Sequence, residues 1–198
     1  MPRLFVAIDI PENLVADLQS LKDEPLNAKW TPPEQYHLTL RFLGNAEQET
    51  ADLLAESLGT LKAEPFEISG EGLDVFPSLR RPRVLVLHIT PPRELLTLQK
   101  AVDHIATEIG FEPDPKPFTP HVTLARLKDD ARPSHVRSYL EEHNSFRLEL
   151  FPAGRFHLYR SDTLPEGAQH TILQSYPLSK RREPDTSRNK PDTSPEGD

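Results

Sequence analysis

The chain of 198 residues has no cysteine and carries 23 Lys and Arg against 31 Asp and Glu, a formal net charge of −8. A length near 200 suffices for one domain, or two small lobes sharing a core, while the lack of cysteine excludes a disulfide scaffold, a thiol nucleophile and a Cys-ligated metal site. The acidic balance argues against gripping a long polyanion by bulk charge, yet leaves room for a small phosphate ligand held by a few placed cations.

The first ten residues are apolar only briefly and lack the hydrophobic stretch and cleavage site of a secretory leader. No run approaches the roughly 18 apolar residues of a membrane span, so a cytoplasmic protein with no membrane partner is expected. In chain order, residues 4–10 read as a strand and 13–22 as a weak helix; Pro32-Pro33 then separates them from a strand at 37–43. Leu53, Leu54, Leu58 and Leu61 give a helix within 47–62, followed by strands at 66–73 and 84–89. After Pro91-Pro92, a stripe of Leu95, Leu98, Val102, Ile105 and Ile109 marks a second clear helix. Prolines 113, 115, 117 and 120 lead to a strand at 121–127, a weaker helix at 134–142, and strands at 146–151, 155–159 and 171–176. Strands that alternate with helices but also occur in adjacent pairs predict an α+β fold with mostly antiparallel sheets rather than a doubly wound parallel one. No Gly-rich phosphate loop is present. Residues 179–198 contain five basic and five acidic residues, three prolines and no aliphatic or aromatic side chain, the composition of a disordered tail following a body of residues 1–178.

Two stretches match. Tyr36-His37-Leu38-Thr39-Leu40-Arg41 and Pro120-His121-Val122-Thr123-Leu124-Ala125-Arg126 both read His-x-Thr-Leu within a strand pattern, and each is followed by a helix and a pair of strands. A third triplet, His88-Ile89-Thr90, lacks the leucine and ends in Pro91, so the triplet alone signifies little. Matched copies in matched halves predict two pseudo-symmetric lobes facing one another. Alternation in a strand puts His37 with Thr39, and His121 with Thr123, on one face, with the intervening residues in the core. Two imidazoles converging on a cleft suit general acid–base chemistry near neutral pH, and the hydroxyls add neutral donors for a phosphoryl oxygen. Against this stand an ordinary polar strand face, and a zinc site recruiting His157 or His88 as third ligand.

The paired motifs resemble those of the two-histidine (2H) phosphoesterase superfamily and, within it, the RNA 2′,3′-cyclic phosphodiesterases of the 2′-5′ RNA ligase family. Similar stretches run from Arg3-Leu4-Phe5-Val6-Ala7-Ile8 through Lys29-Trp30, Val75-Phe76-Pro77 and Arg81-Pro82-Arg83 to Leu158-Tyr159-Arg160-Ser161. The resemblance implies a bilobal fold, each lobe a sheet backed by helices with the active site between them, acting without metal or other cofactor on RNA 3′ ends bearing 2′,3′-cyclic phosphate or on small nucleotides, as a monomer. It implies His37 as proton donor, His121 as acceptor, and Thr39, Thr123 and Arg126 on the phosphate. By strict alternation Arg126 faces away from His121 while Arg41 faces with His37, so either a bulge re-aims Arg126 or Arg41 serves instead. Phe5, Trp30 and Phe76 are candidates for stacking a base or lining the cleft, with core packing as their other role. A binding module without chemistry, or a relative acting on small cyclic nucleotides or 2′-5′ oligoadenylates, are the other readings of the same motifs.

Overall fold

The computed structural model describes residues 2–22, 26–164 and 167–179; the tail expected at 179–198 lies, apart from Ser179, outside them. Nine strands form one antiparallel sheet in the order β7-β4-β5-β6-β3-β1-β8-β9, with β2 on β6. In chain order these are β1 (Arg3–Asp9), α1 (Glu12–Gln19), β2 (Ala28–Trp30), a 3-10 turn (Pro33–Gln35), β3 (His37–Asn45), α2 (Gln48–Leu58), β4 (Phe66–Phe76), β5 (Val84–Thr90), α3 (Arg93–Ile109), β6 (His121–Leu127), α4 (Pro133–Glu142), β7 (Arg147–Ala153), β8 (Arg155–Leu164) and β9 (Gly167–Pro177). The α+β expectation holds, and every predicted strand and helix is present. β2 escaped prediction because three residues ahead of Pro32-Pro33 show no periodicity.

The strand order is a palindrome. The half β7-β4-β5-β6 mirrors β9-β8-β1-β3, with the junction between β6 and β3. Each inner strand is apolar on the side covered by helices: Leu4, Val6 and Ile8 of β1, Leu85 and Leu87 of β5, Leu38 and Leu40 of β3, and Val122 and Leu124 of β6 are all buried in one core. The helices cross between halves. α1 follows β1 but packs on β7, and α3 follows β5 but packs on β3 and α2, so one hydrophobic core ties the two halves together.

The halves meet at a single backbone pair, Leu38↔Val122. Beyond that pair β2 continues along the same edge of β6 through Ala28↔Leu127, Lys29↔Arg126 and Trp30↔Ala125. Thr31 completes the wedge, its backbone N–H donating to Leu124 O and its hydroxyl to Thr123 O, both at 2.9 Å. β3 begins at His37 and β6 at His121, so the two antiparallel strands overlap only around this pair, and the rest of β3 runs on past the start of β6.

Both motif strands carry the same irregularity. Opposite β1, Thr39 pairs with Ala7 and Arg41 with Val6, leaving Leu40 unpaired; opposite β5, Thr123 pairs with Val86 and Ala125 with Leu85, leaving Leu124 unpaired. Each bulge puts two consecutive residues into the core, Leu40 with Arg41 and Leu124 with Ala125, and reverses the alternation beyond it. The expectation that Arg41 lines the cleft is thereby corrected. Arg41 is only 4% exposed and points to the helix side, where it is 2.9 Å from Asp103 of α3 and 3.3 Å from Asp114, and donates to the Glu112 carbonyl.

Arg41→Leu should lower stability by about 1–3 kcal/mol, because the partners of a buried charged donor are left unmatched, and leave the opposite face of β3 unchanged. Urea unfolding checks this; unchanged stability would contradict the bracing role.

Candidate active site

Antiparallel pairing at Leu38↔Val122 sets the residues on either side in register. His37 lies across from Thr123, and His121 across from Thr39. All four project from the face opposite the core, since their neighbours Leu38 and Val122 are fully buried, and the result is a four-cornered polar patch with a local two-fold axis.

Each imidazole is held in the same way. Nδ1 of His37 donates to Gln35 O and Nδ1 of His121 to Thr119 O, both at 2.7 Å. A carbonyl oxygen only accepts, so Nδ1 carries the proton and Nε2 is the working nitrogen in both rings. An aromatic ring supports each: Phe5 lies 5.0 Å from the His37 ring, and Phe76 meets His121 edge-on at 5.1 Å. Phe5 is 2% exposed and its face is stacked on Tyr159 at 4.8 Å, so it backs His37 and offers no free face to a base. Trp30 leans on Tyr139 of α4 at 6.4 Å, against the main core. Phe76 remains partly accessible beside His121.

Beyond the bulge of β6, Arg126 is exposed on the His121 face and close enough to act electrostatically on His170. Sequence reasoning missed His170. It sits on β9 opposite Ser161 of β8, edge-on to His37 at 5.5 Å and to Phe5 at 4.9 Å. No motif marks it, and it stands one residue outside the predicted strand. The only available hint was its place in a polar stretch before an apolar strand.

The flanking residues break the two-fold symmetry. Asp9 pairs with His37 across β1 and β3, and His88 pairs with His121 across β5 and β6. Behind them the identities are exchanged: Asp9 meets His157 of β8 at 3.2 Å, whereas His88 meets Asp74 of β4 at 3.3 Å. His157 also binds Ser175 Oγ through Nδ1 at 2.8 Å, and Tyr159 donates its hydroxyl to Asp9. Burial pushes Asp9 up, but the bonds from His157 and Tyr159 outweigh it and leave the carboxyl below its ordinary value. The histidines that the zinc alternative needed are thus committed to carboxylates, and no three metal-ligating side chains gather among the described residues.

In the free protein both motif imidazoles are held neutral. Burial lowers His37 to about 4 despite the Gln35 carbonyl, with His170 adding repulsion and Asp9 opposing it. Burial also lowers His121, and there the neighbour is His88, which lowers it further. The paired strand neighbours differ, a carboxylate beside His37 and an imidazole beside His121, although at His37 the repulsion from His170 outweighs the attraction of Asp9. An anion entering the cleft favours the charged form of both rings.

A histidine depressed in the folded state takes up its proton in the unfolded chain first, so its contribution to stability is lost as pH falls from about 6.5 towards 4. Thermal melts at pH 7.5 and 4.5 should show a smaller acid-induced drop in His37→Asn than in the unsubstituted protein; equal drops would contradict the burial of His37.

The chain is similar to known proteins in sequence and fold. The family model for the 2′-5′ RNA ligase superfamily matches residues 10–164. An RNA 2′,3′-cyclic phosphodiesterase of Bacillus subtilis is 34% identical over 172 residues, covering 83% of this chain and 93% of the relative. One of Thermus thermophilus is 35% identical over 207 residues, covering 99% and 100%. The crystal structure of E. coli LigT complexed with 3′-AMP superposes with a TM-score of 0.74 at 26% identity, covering 91% of this chain and 100% of that one. A crystal structure of a Thermus thermophilus protein gives 0.75 at 29% identity, with 91% and 100% covered. With its duplicated sheet, paired His-x-Thr strands and a family match over most of its length, this chain belongs to the 2′-5′ RNA ligase superfamily of two-histidine phosphoesterases.

Proposed function

We propose that this protein is an RNA 2′,3′-cyclic phosphodiesterase that opens a terminal ribose cyclic phosphate to the 2′-phosphomonoester without a metal. The observation that carries the reading is the register at Leu38↔Val122, which brings two Nε2 atoms and two threonine hydroxyls to one face. The names of the curated relatives support it.

In the proposed reaction His121, neutral, accepts a proton from water at Nε2. The water oxygen attacks phosphorus, the P–O3′ bond breaks in line, and His37, protonated, delivers its Nε2 proton to O3′. The product keeps phosphate on O2′ and has a free 3′ hydroxyl. Thr39, Thr123 and Arg126 donate to the non-bridging oxygens as charge builds there. Of the flanking groups Asp9 and His88 support this orientation, while burial and His170 act against a charged His37 until the substrate anion enters. Asp9 beside His37 favours the imidazolium needed in an acid, and His88 beside His121 favours the neutral ring needed in a base. With a 5′ hydroxyl in place of water, the same atoms form a 2′-5′ phosphodiester, an ATP-independent ligation that requires both ends to be held.

His37→Ala and His121→Ala should each cut kcat on a 2′,3′-cyclic-phosphate substrate by about 10²–10⁴-fold, and a chelator should leave the parent rate unchanged. Activity surviving either substitution, or lost to the chelator, would contradict the mechanism. Asp9→Asn should move the alkaline limb of the kcat–pH profile to lower pH, because His37 then gives up its proton sooner; displacement of the acidic limb instead would exchange the two roles.

A further inference from the structure

The two halves of the cleft end in equivalent cavities with different charge. By the repeat spacing Asn45 of β3 corresponds to Asp129 just after β6. Asn45 lines one cavity of about 500 Å³ together with Arg3, Ser161 and Asp162. Asp129 lines the other, of about 260 Å³, together with Arg80, Arg81 and Arg83. In the first, the lining carries one arginine, Arg3, and one carboxylate, Asp162, which lies 2.9 Å from Arg160. In the second, Arg83 pairs with Asp129, and Arg80 and Arg81 are exposed with no ion pair among the described residues. Two cations thus stand unneutralised at one end of a cleft in a chain of net charge −8.

The loop that presents them is fixed to the site. It leaves β4 at Phe76, whose ring touches His121, and enters β5 at Val84, which pairs with both Phe76 and Arg126. Arg83 N–H returns to Phe76 O at 2.8 Å, and Leu127 N–H bonds Arg83 O at 2.9 Å. Pro82 is buried beneath. A loop pinned at both ends presents its guanidiniums in a set place, next to the row that holds Arg126.

We propose that Arg80 and Arg81 form a backbone subsite for single-stranded RNA: the nucleotides 5′ of the reacting cyclic phosphate leave the cleft across this loop, past Phe76, and their phosphodiesters bind the two guanidiniums, so that strand polarity in the cleft is set by the charge difference between its ends. This rests on the phosphodiesterase reading above.

The test compares Arg80→Gln/Arg81→Gln with the parent, and with Arg3→Gln at the opposite end, on a nucleoside 2′,3′-cyclic phosphate and on an oligoribonucleotide carrying the same terminus. Anisotropy of a 5′-labelled oligonucleotide reports binding independently of turnover. The double variant should lose about tenfold in oligonucleotide affinity and kcat/KM, and the slope of log affinity against log salt should shrink by about 1.4, two single-strand phosphates' worth. Its nucleoside turnover should stay within about twofold of the parent, since two exposed charges beyond the reacting phosphate are screened from it. Arg3→Gln should change neither. An unchanged slope and affinity, an equal loss on both substrates, or a loss from Arg3→Gln of the same size would overturn the subsite. If the parent turns over neither substrate yet binds the oligonucleotide through Arg80 and Arg81, the reaction assignment fails and the subsite stands.

Discussion

The candidate site depends on one backbone contact. β3 and β6 pair only at Leu38↔Val122, because each begins one residue before that pair, at His37 and His121, and β2 continues the edge of β6 beyond it. Pairing at one point keeps the four polar side chains in register while the strands diverge around them. The leucine and valine at the contact are fully buried, so the pair that sets the geometry of the polar face is also part of the core holding the halves together.

Duplication supplies a symmetric frame, and the reaction needs asymmetry. Both imidazoles receive the same carbonyl clamp and a nearby aromatic ring, which fixes the tautomer and orientation each must have whichever role it takes. What separates them lies one strand further out, where Asp9 and His88 occupy corresponding positions and their partners His157 and Asp74 are exchanged. Exchange of an acid and an imidazole preserves a hydrogen-bondable pair behind each motif while placing a carboxylate beside one motif ring and an imidazole beside the other. The long β8–β9 pairing adds His170 and Tyr159 to the His37 side alone. The arginine loop adds charge to the His121 side alone.

Much of this was legible in the sequence because it is written in short periods. Strand alternation put His37 and Thr39 on one face, leucine spacing marked α2 and α3, and the repeated His-x-Thr-Leu disclosed the duplication. Arg41 and Arg126 were illegible by the same rule, because a single bulged leucine in each strand reverses the phase, and a bulge leaves no signature in hydrophobicity when the extra residue is itself apolar. Phe5 and Phe76 look alike in sequence and differ in structure through distant neighbours: Tyr159, 154 residues away from Phe5, and His170 cover Phe5 and not Phe76. His170 and the Asp9–His157 pair depend on which strands become neighbours across the whole sheet, information that no local window holds.

The product formed from an RNA with a 2′,3′-cyclic-phosphate end tests the paired-histidine chemistry most directly. Phosphorus NMR of the reaction, with authentic 2′- and 3′-phosphate standards, reads both turnover and the bond broken. The proposed mechanism predicts a 2′-phosphomonoester with a free 3′ hydroxyl. Accumulation of the 3′-phosphate would reverse the assignment of the leaving oxygen, and an RNA that binds but stays cyclic would contradict the claim that the paired histidines form an acid–base couple.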